Sequence, residues 1–189
     1  MRSLPDFPWD SLALYKKRAS ALGLIDLSIG TPVDPVPQLI RDALAAAADS
    51  HGYPATYGTV ELRAAIAGWL KRALAVEADP DAILPTIGSK ELVAHLPFQL
   101  GLGAQDVVAI PAIAYPTYDV GAKLAGAHVV TADGVEQLEA ARVGSEAAGR
   151  SVKLVWLNSP SNPTGAVLGV DALREIVAWA REHRILVVN

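Results

Sequence analysis

Residues 152–165 read Val-Lys-Leu-Val-Trp-Leu-Asn-Ser-Pro-Ser-Asn-Pro-Thr-Gly, an apolar run that gives way at once to a stiff polar loop. A short run with a single charge is how a strand covered on both faces reads. In the loop, Pro160 and Pro163 restrict the backbone and Gly165 admits a positive φ, so the segment can aim the Asn162 carboxamide. The same residues also suit a plain structural turn in which Asn162 bonds its own backbone.

Working outward, runs of this kind alternate with segments of helical period. The pattern predicts strands at Leu24–Ile29, Ala82–Ile87, Asp106–Ile110, His128–Thr131, Val152–Leu157 and Ile185–Val188. Helices are expected at Val36–Ala48, Val60–Leu74, Ser89–Leu100, Tyr118–Leu124 and Val170–His183. Strand and helix in alternation imply right-handed crossovers, hence an α/β fold with a mainly parallel sheet and helices on both faces. Residues 1–30 read as an N-terminal arm, with Pro5, Pro8 and only a short amphipathic stretch, ahead of a domain over 31–189. In the helix after Thr59, the threonine is a cap, Glu61 suits the positive dipole end, and Leu62, Ile66, Trp69 and Leu70 form one stripe expected to face the sheet. Pro97 is expected to kink or shorten its helix. The chain stops at Asn189, directly after an apolar run, where a ligand site of an open sheet would continue; it reads as the N-terminal piece of a longer protein.

Composition narrows the function. The 189 residues are 51% hydrophobic and 19% charged, which excludes a disordered tail. Sixteen basic against twenty acidic residues, with no basic run longer than Lys16-Lys17-Arg18, argue against nucleic-acid binding. The absence of cysteine rules out disulfides, a thiolate nucleophile and a zinc–thiolate centre. His51, His95, His128 and His183 are scattered, so no metal site is expected. With no h-region and no long apolar stretch, a soluble cytoplasmic protein is expected, neither secreted nor bound to a membrane. Gly101-Leu102-Gly103 lacks the third glycine of the dinucleotide fingerprint, and no Walker loop or nucleophile elbow occurs.

Three further motifs stand at expected element ends. Gly88-Ser89-Lys90-Glu91 follows a predicted strand and opens a helix, a pattern that suits a phosphate and equally suits ordinary N-capping. Tyr115-Pro116-Thr117-Tyr118 lies past the 106–110 strand, where a ring can stack on a planar ligand or pack in the rim of the core. Tyr53-Pro54-Ala55-Thr56-Tyr57-Gly58 by itself says only that a turn precedes a helix.

Taken in order, with Gly58, Gly88, Tyr115 and Asn162 separated by 30, 27 and 47 positions, these pieces resemble the class I/II aminotransferases of pyridoxal-phosphate fold type I. Asn162-Pro163-Thr164-Gly165 is the most specific match, followed by Gly58 with Glu61-Leu62-Arg63. The resemblance implies pyridoxal 5'-phosphate as cofactor, held at its phosphate by Gly88, Ser89 and Lys90, stacked on Tyr115 and hydrogen-bonded at its ring oxygen by Asn162. It implies that Tyr53 reaches the phosphate of a neighbouring subunit in a homodimer, and that Gly30 lines the substrate carboxylate. It places the ring-nitrogen aspartate directly after Asn189, and the catalytic lysine and carboxylate-binding arginine further on, so none of the catalytic groups falls within this chain and Lys90 is not that lysine. The segment alone is therefore expected to be inactive.

Within the family the likeness is to N-succinyldiaminopimelate aminotransferases of lysine biosynthesis. It is carried by Leu4–Asp10, Gly30–Pro37, Gly88–Val93 and Trp156–Asn162. That implies amino transfer from glutamate to N-succinyl-2-amino-6-oxopimelate. Another amino acid (aspartate, alanine or an aromatic one) is the first alternative. A non-catalytic aminotransferase-like binding module is the second, though such regulators are usually preceded by a DNA-binding segment and no basic helix-turn-helix pattern occurs in this arm.

Overall fold

The computed structural model describes residues 9–25 and 27–189. The chain divides into two units: Ala13–Thr86, and Ile87–Asn189 with residues 9–12.

The first unit holds α1 (Ala13–Ala21), α2 (Gln38–Ala46), α3 (Val60–Leu74) and a 3-10 turn at Pro80–Ala82. The α3 cap forms as its sequence dictates: Thr59 Oγ1 accepts the Leu62 N–H at 3.1 Å. Glu61 in the first turn has its carboxyl held below the ordinary range by its own backbone N–H and the Thr59 hydroxyl. The apolar stripe does not behave as expected. Within this unit Leu62 and Trp69 stand about half exposed, and the buried residue of α3 is Arg63. Its guanidinium lies 5.0 Å from the Tyr57 ring centroid and donates to Asp81 Oδ1 at 2.7 Å and to the Pro80 carbonyl at 3.2 Å. A cation held by a loop tyrosine and a loop aspartate is invisible to helical periodicity, which compares a helix only with itself.

Two expected strands do not form. The described residues of 24–29 are irregular, and residue 26 lies outside the described residues; 80–82 coil into the 3-10 turn and 83–87 run without a ladder. Apolar character creates a tendency to be buried, but a strand also needs a hydrogen-bonding neighbour, and among the described residues none pairs with either stretch.

The second unit runs α4 (Ser89–Gln99), β1 (Asp106–Ile110), α5 (Thr117–Ala125), β2 (His128–Thr131), α6 (Val135–Ala147), β3 (Ser151–Trp156), α7 (Val170–Glu182) and β4 (Leu186–Val188). The four strands pair in parallel in the order β2-β1-β3-β4. Helices cover both faces. Val107, Ala109, Val152 and Val155 pack with Leu138 of α6 and Ile176, Trp179 and Ala180 of α7. Val108, Ile110, Leu154 and Trp156 pack on the other face with Ala122 of α5 and Val93 and Leu96 of α4. The α/β reading is thus borne out.

β3 carries an irregularity that its sequence hides. Val107 pairs with Val152 but Val108 pairs with Leu154, so exposed Lys153 is an extra residue in the strand. The bulge turns Val152 and Leu154, two positions apart, to opposite faces. α6 is a helix without a sequence-based expectation. It buries only Leu138 and Ser145, so it lacks the broad stripe that announces a helix.

The seam between α4 and α5 is tight. A Cβ on Gly121 of α5 would stand 2.6 Å from the Val93 carbonyl oxygen and 3.0 Å from Ala94 Cα. Pro97 lies buried in the last turn of α4 and the helix ends two residues later. Its missing N–H is the one that would otherwise reach Val93, four residues back.

Candidate active site

The chain order makes one place in the sheet special. β1 is followed by α5 on one face, whereas the adjacent β3 is followed by α7 on the opposite face. Loops leaving the carboxyl ends of β1 and β3 therefore diverge and open a crevice, the usual ligand position of an open α/β sheet.

Tyr115 lies in the loop that leaves β1. It is half-buried, and the Lys90 ammonium stands 6.0 Å from its ring centroid. Two of the residues singled out in the sequence are therefore neighbours, at the outer limit of cation–π range. Lys90 belongs to the first turn of α4, which opens at Gly88 with φ 77°. That backbone conformation suits glycine, and with no side chain at the cap the helix end is left to its amides. The segment before Gly88 is irregular rather than the strand expected there. At its last residue, the Ile87 N–H donates to the Glu91 carboxylate of α4. Behind this wall Tyr118 meets Trp156 edge-on, centroids 5.3 Å apart, and burial pushes the Tyr118 phenol up.

Asn162 lies in the loop that leaves β3. Gly165 has the positive φ its position requires (71°), and both prolines follow cis bonds. The loop is laced internally: Gly165 N–H donates to Ser161 O at 2.7 Å, Ser161 N–H to Ala166 O at 2.8 Å, and Leu168 N–H to Ser159 Oγ at 2.9 Å. Asn158 Nδ2 donates to the Asn162 carbonyl at 3.2 Å. Among the described residues no hydrogen bond holds the Asn162 carboxamide itself, so its own side chain is not what makes the turn. Asn189, just past β4, adds a clamp: its Oδ1 accepts Ser159 N–H at 3.0 Å and its Nδ2 donates to Ser159 O at 3.3 Å. The sequence reading assigned no role to Asn158 or Asn189. Their one legible signal is that each is an asparagine immediately beyond an apolar run.

A cavity of about 280 Å³ opens on the α6/α7 side, between Leu138, Ile176, Leu157, Asp133 and the 158–168 loop. Lys90 and Tyr115 do not line it. Tyr53 and Gly30 belong to the first unit, where Tyr53 is fully exposed and Gly30 has open space around its Cα.

A parallel sheet with a switch point between β1 and β3, from which the Tyr115 and Asn162 loops depart, has the architecture of the α/β proteins that take ligands beyond their strand ends. More narrowly, the chain belongs to the class I and II aminotransferase family, which matches residues 23–189. That family is pyridoxal-phosphate-dependent. The chain is 56% identical over 191 residues to the 4-dedimethylamino-4-oxo-anhydrotetracycline transaminase OxyQ of Streptomyces rimosus, covering all of this chain and 51% of that protein. It is 53% identical to the probable aminotransferase Rv1178 of Mycobacterium tuberculosis, over 99% of this chain and 43% of the relative. The solved N-succinyldiaminopimelate aminotransferase of M. tuberculosis superposes with a TM-score of 0.70 at 29% identity, over 94% of this chain and 48% of that one. The chain thus spans about half the length of the proteins it matches.

The residues present suit the cofactor in kind. An 11-residue helix opening on glycine, with a lysine in its first turn, suits a phosphate. An aromatic face beside that lysine suits a flat ring, and a carboxamide with no partner in its own loop suits a ring oxygen.

Proposed function

We propose that this chain is the cofactor-holding portion of a pyridoxal-phosphate-dependent aminotransferase. The observation that carries the reading is the adjacency of Lys90, in the first turn of α4, to Tyr115, which follows the strand neighbouring the one that leads into the Asn162 loop. In this role the backbone at Gly88, Ser89 and Lys90 binds the phosphate, with the Lys90 charge adding to it. Tyr115 packs on one face of the ring and excludes water from it. Asn162 donates to the ring oxygen and fixes the ring's rotation. The cofactor, when bound, supplies an electron sink for negative charge developing at the substrate's α-carbon. Tyr53 reaches the phosphate of a second copy in a homodimer, and Gly30 lines the substrate carboxylate. The proton-moving lysine is none of the residues described here.

The substrate we favour is N-succinyl-2-amino-6-oxopimelate, aminated from glutamate. The motif likeness and the N-succinyldiaminopimelate aminotransferase fold neighbour support it. A 4-dedimethylamino-4-oxo-anhydrotetracycline is the second reading, favoured by the 56% identity to a transaminase named for that substrate.

Titrating the chain with pyridoxal phosphate tests the cofactor reading. Binding that weakens in both Tyr115→Ala and Asn162→Ala is expected; affinities unchanged in both overturn it. Assaying the complete enzyme with glutamate against each acceptor in turn decides between the substrates.

A further inference from the structure

We infer that Glu91 is a positioning residue: its carboxylate holds the Ile87–Gly88 backbone in the shape that presents the first turn of α4 to a phosphate. The inference rests on the cofactor reading above and adds a residue to it. A carboxylate at this place is at first sight wrong, because it puts negative charge one helical turn from a bound dianion. The structure shows what it does instead. Glu91 is the third residue of α4, and its Oε2 accepts the N–H of Ile87, the residue before the glycine cap. This is the reach-back half of a capping box, displaced outward by one position. The glycine cap has no side chain to contribute the other half.

Without this bond the Ile87 amide has only solvent to define it, since the Ile87 residue is itself 90% exposed. Gly88 holds a φ of 77°, a region that only glycine enters cheaply. The Glu91 bond fixes the Ile87 end of that turn. It engages the carboxylate at Ile87, while Lys90 stands beside Tyr115. Geometry and charge thus act in opposite directions at one residue, which makes them separable.

The test compares Glu91→Gln with Glu91→Ala. Glutamine keeps an oxygen acceptor for Ile87 and drops the charge; alanine drops both. Pyridoxal phosphate, followed by quenching of intrinsic tyrosine and tryptophan fluorescence, is the probe, and amide exchange at Ile87 is read by NMR without ligand. Expected are about fivefold weaker binding and faster Ile87 exchange in the alanine variant. The glutamine variant should bind as tightly as the parent or more so, with Ile87 still protected. Equal affinities in the two variants, or an alanine variant that binds as well as the parent, overturn the inference. Unphosphorylated pyridoxal separates it from the reading beneath: a parent chain that binds both compounds equally refutes the phosphate assignment itself, whatever Glu91 does.

Discussion

Replacing Gly121 by alanine tests the packing of α4 against α5 beside the candidate site. The added Cβ would sit 2.6 Å from the Val93 carbonyl oxygen and 3.0 Å from both Ala94 Cα and its oxygen. The first distance is about 0.8 Å short of the 3.4 Å at which ordinary contact begins. These are backbone atoms, so no rotamer change relieves the clash and α5 must move away from α4. Overpacking of this kind costs ~1–3 kcal/mol, and the better helix propensity of alanine returns at most ~1 kcal/mol. A net loss of about 1–2 kcal/mol is expected.

Gly144 of α6 supplies the control, because a Cβ there meets nothing within 4 Å. Gly144→Ala should gain ~0.4–1 kcal/mol. Thermal unfolding followed by circular dichroism should therefore separate the two variants by roughly 4–8 °C. A Gly121→Ala protein that melts with or above Gly144→Ala refutes the reasoning. Because Lys90 lies in the first turn of α4 and Tyr115 leads into α5, the same variant should also weaken pyridoxal phosphate binding, and Gly144→Ala should not.

Three other outcomes follow from the geometry. Gly58→Ala places a Cβ 2.8 Å from Pro85 Cγ at a φ of +81°, so urea unfolding should show a loss of about 1–2 kcal/mol. Arg63→Lys keeps the charge but loses the guanidinium plane beside the Tyr57 ring and the Nη1 that donates to both Asp81 and the Pro80 carbonyl; it should destabilise by ~1–3 kcal/mol, whereas equal stability of parent and variant in the same assay would show the clamp to be idle. Glu139 takes two bonds from Arg142 and one from the Trp179 indole, which pull its carboxyl from 4.5 to about 2. Its contribution is present above the unfolded value and is lost as pH falls from about 4.5 through about 2. Glu139→Gln should accordingly flatten the acid side of a stability–pH curve in that window, and an unchanged slope would contradict it.

Some of the site could be read from the chain because the relevant physics is local. A glycine before a helix, a proline-braced asparagine loop and a tyrosine after an apolar run each follow from a few adjacent residues. The register of Lys90 with Tyr115 does not: it depends on how closely α4 approaches α5, which is set by the missing side chain of Gly121 more than thirty positions away from α4's first turn. Glu91 was similarly opaque, since nothing in Gly-Ser-Lys-Glu says which amide the carboxylate will choose.

The sequence by itself determined the α/β class, the α3 cap and the places of the four paired strands, which rest on periodicity and capping, and its ordered motifs carried the resemblance to the family. Tertiary structure alone decided which apolar runs became strands, because a ladder needs a partner that periodicity cannot supply; among the described residues 24–29 and 82–87 found none, and 106–110 had two. It also decided the face each β3 residue occupies, through the bulge at Lys153, and the burial of Arg63 where an apolar stripe was expected. In each case the deciding contact lies across the fold rather than along the chain.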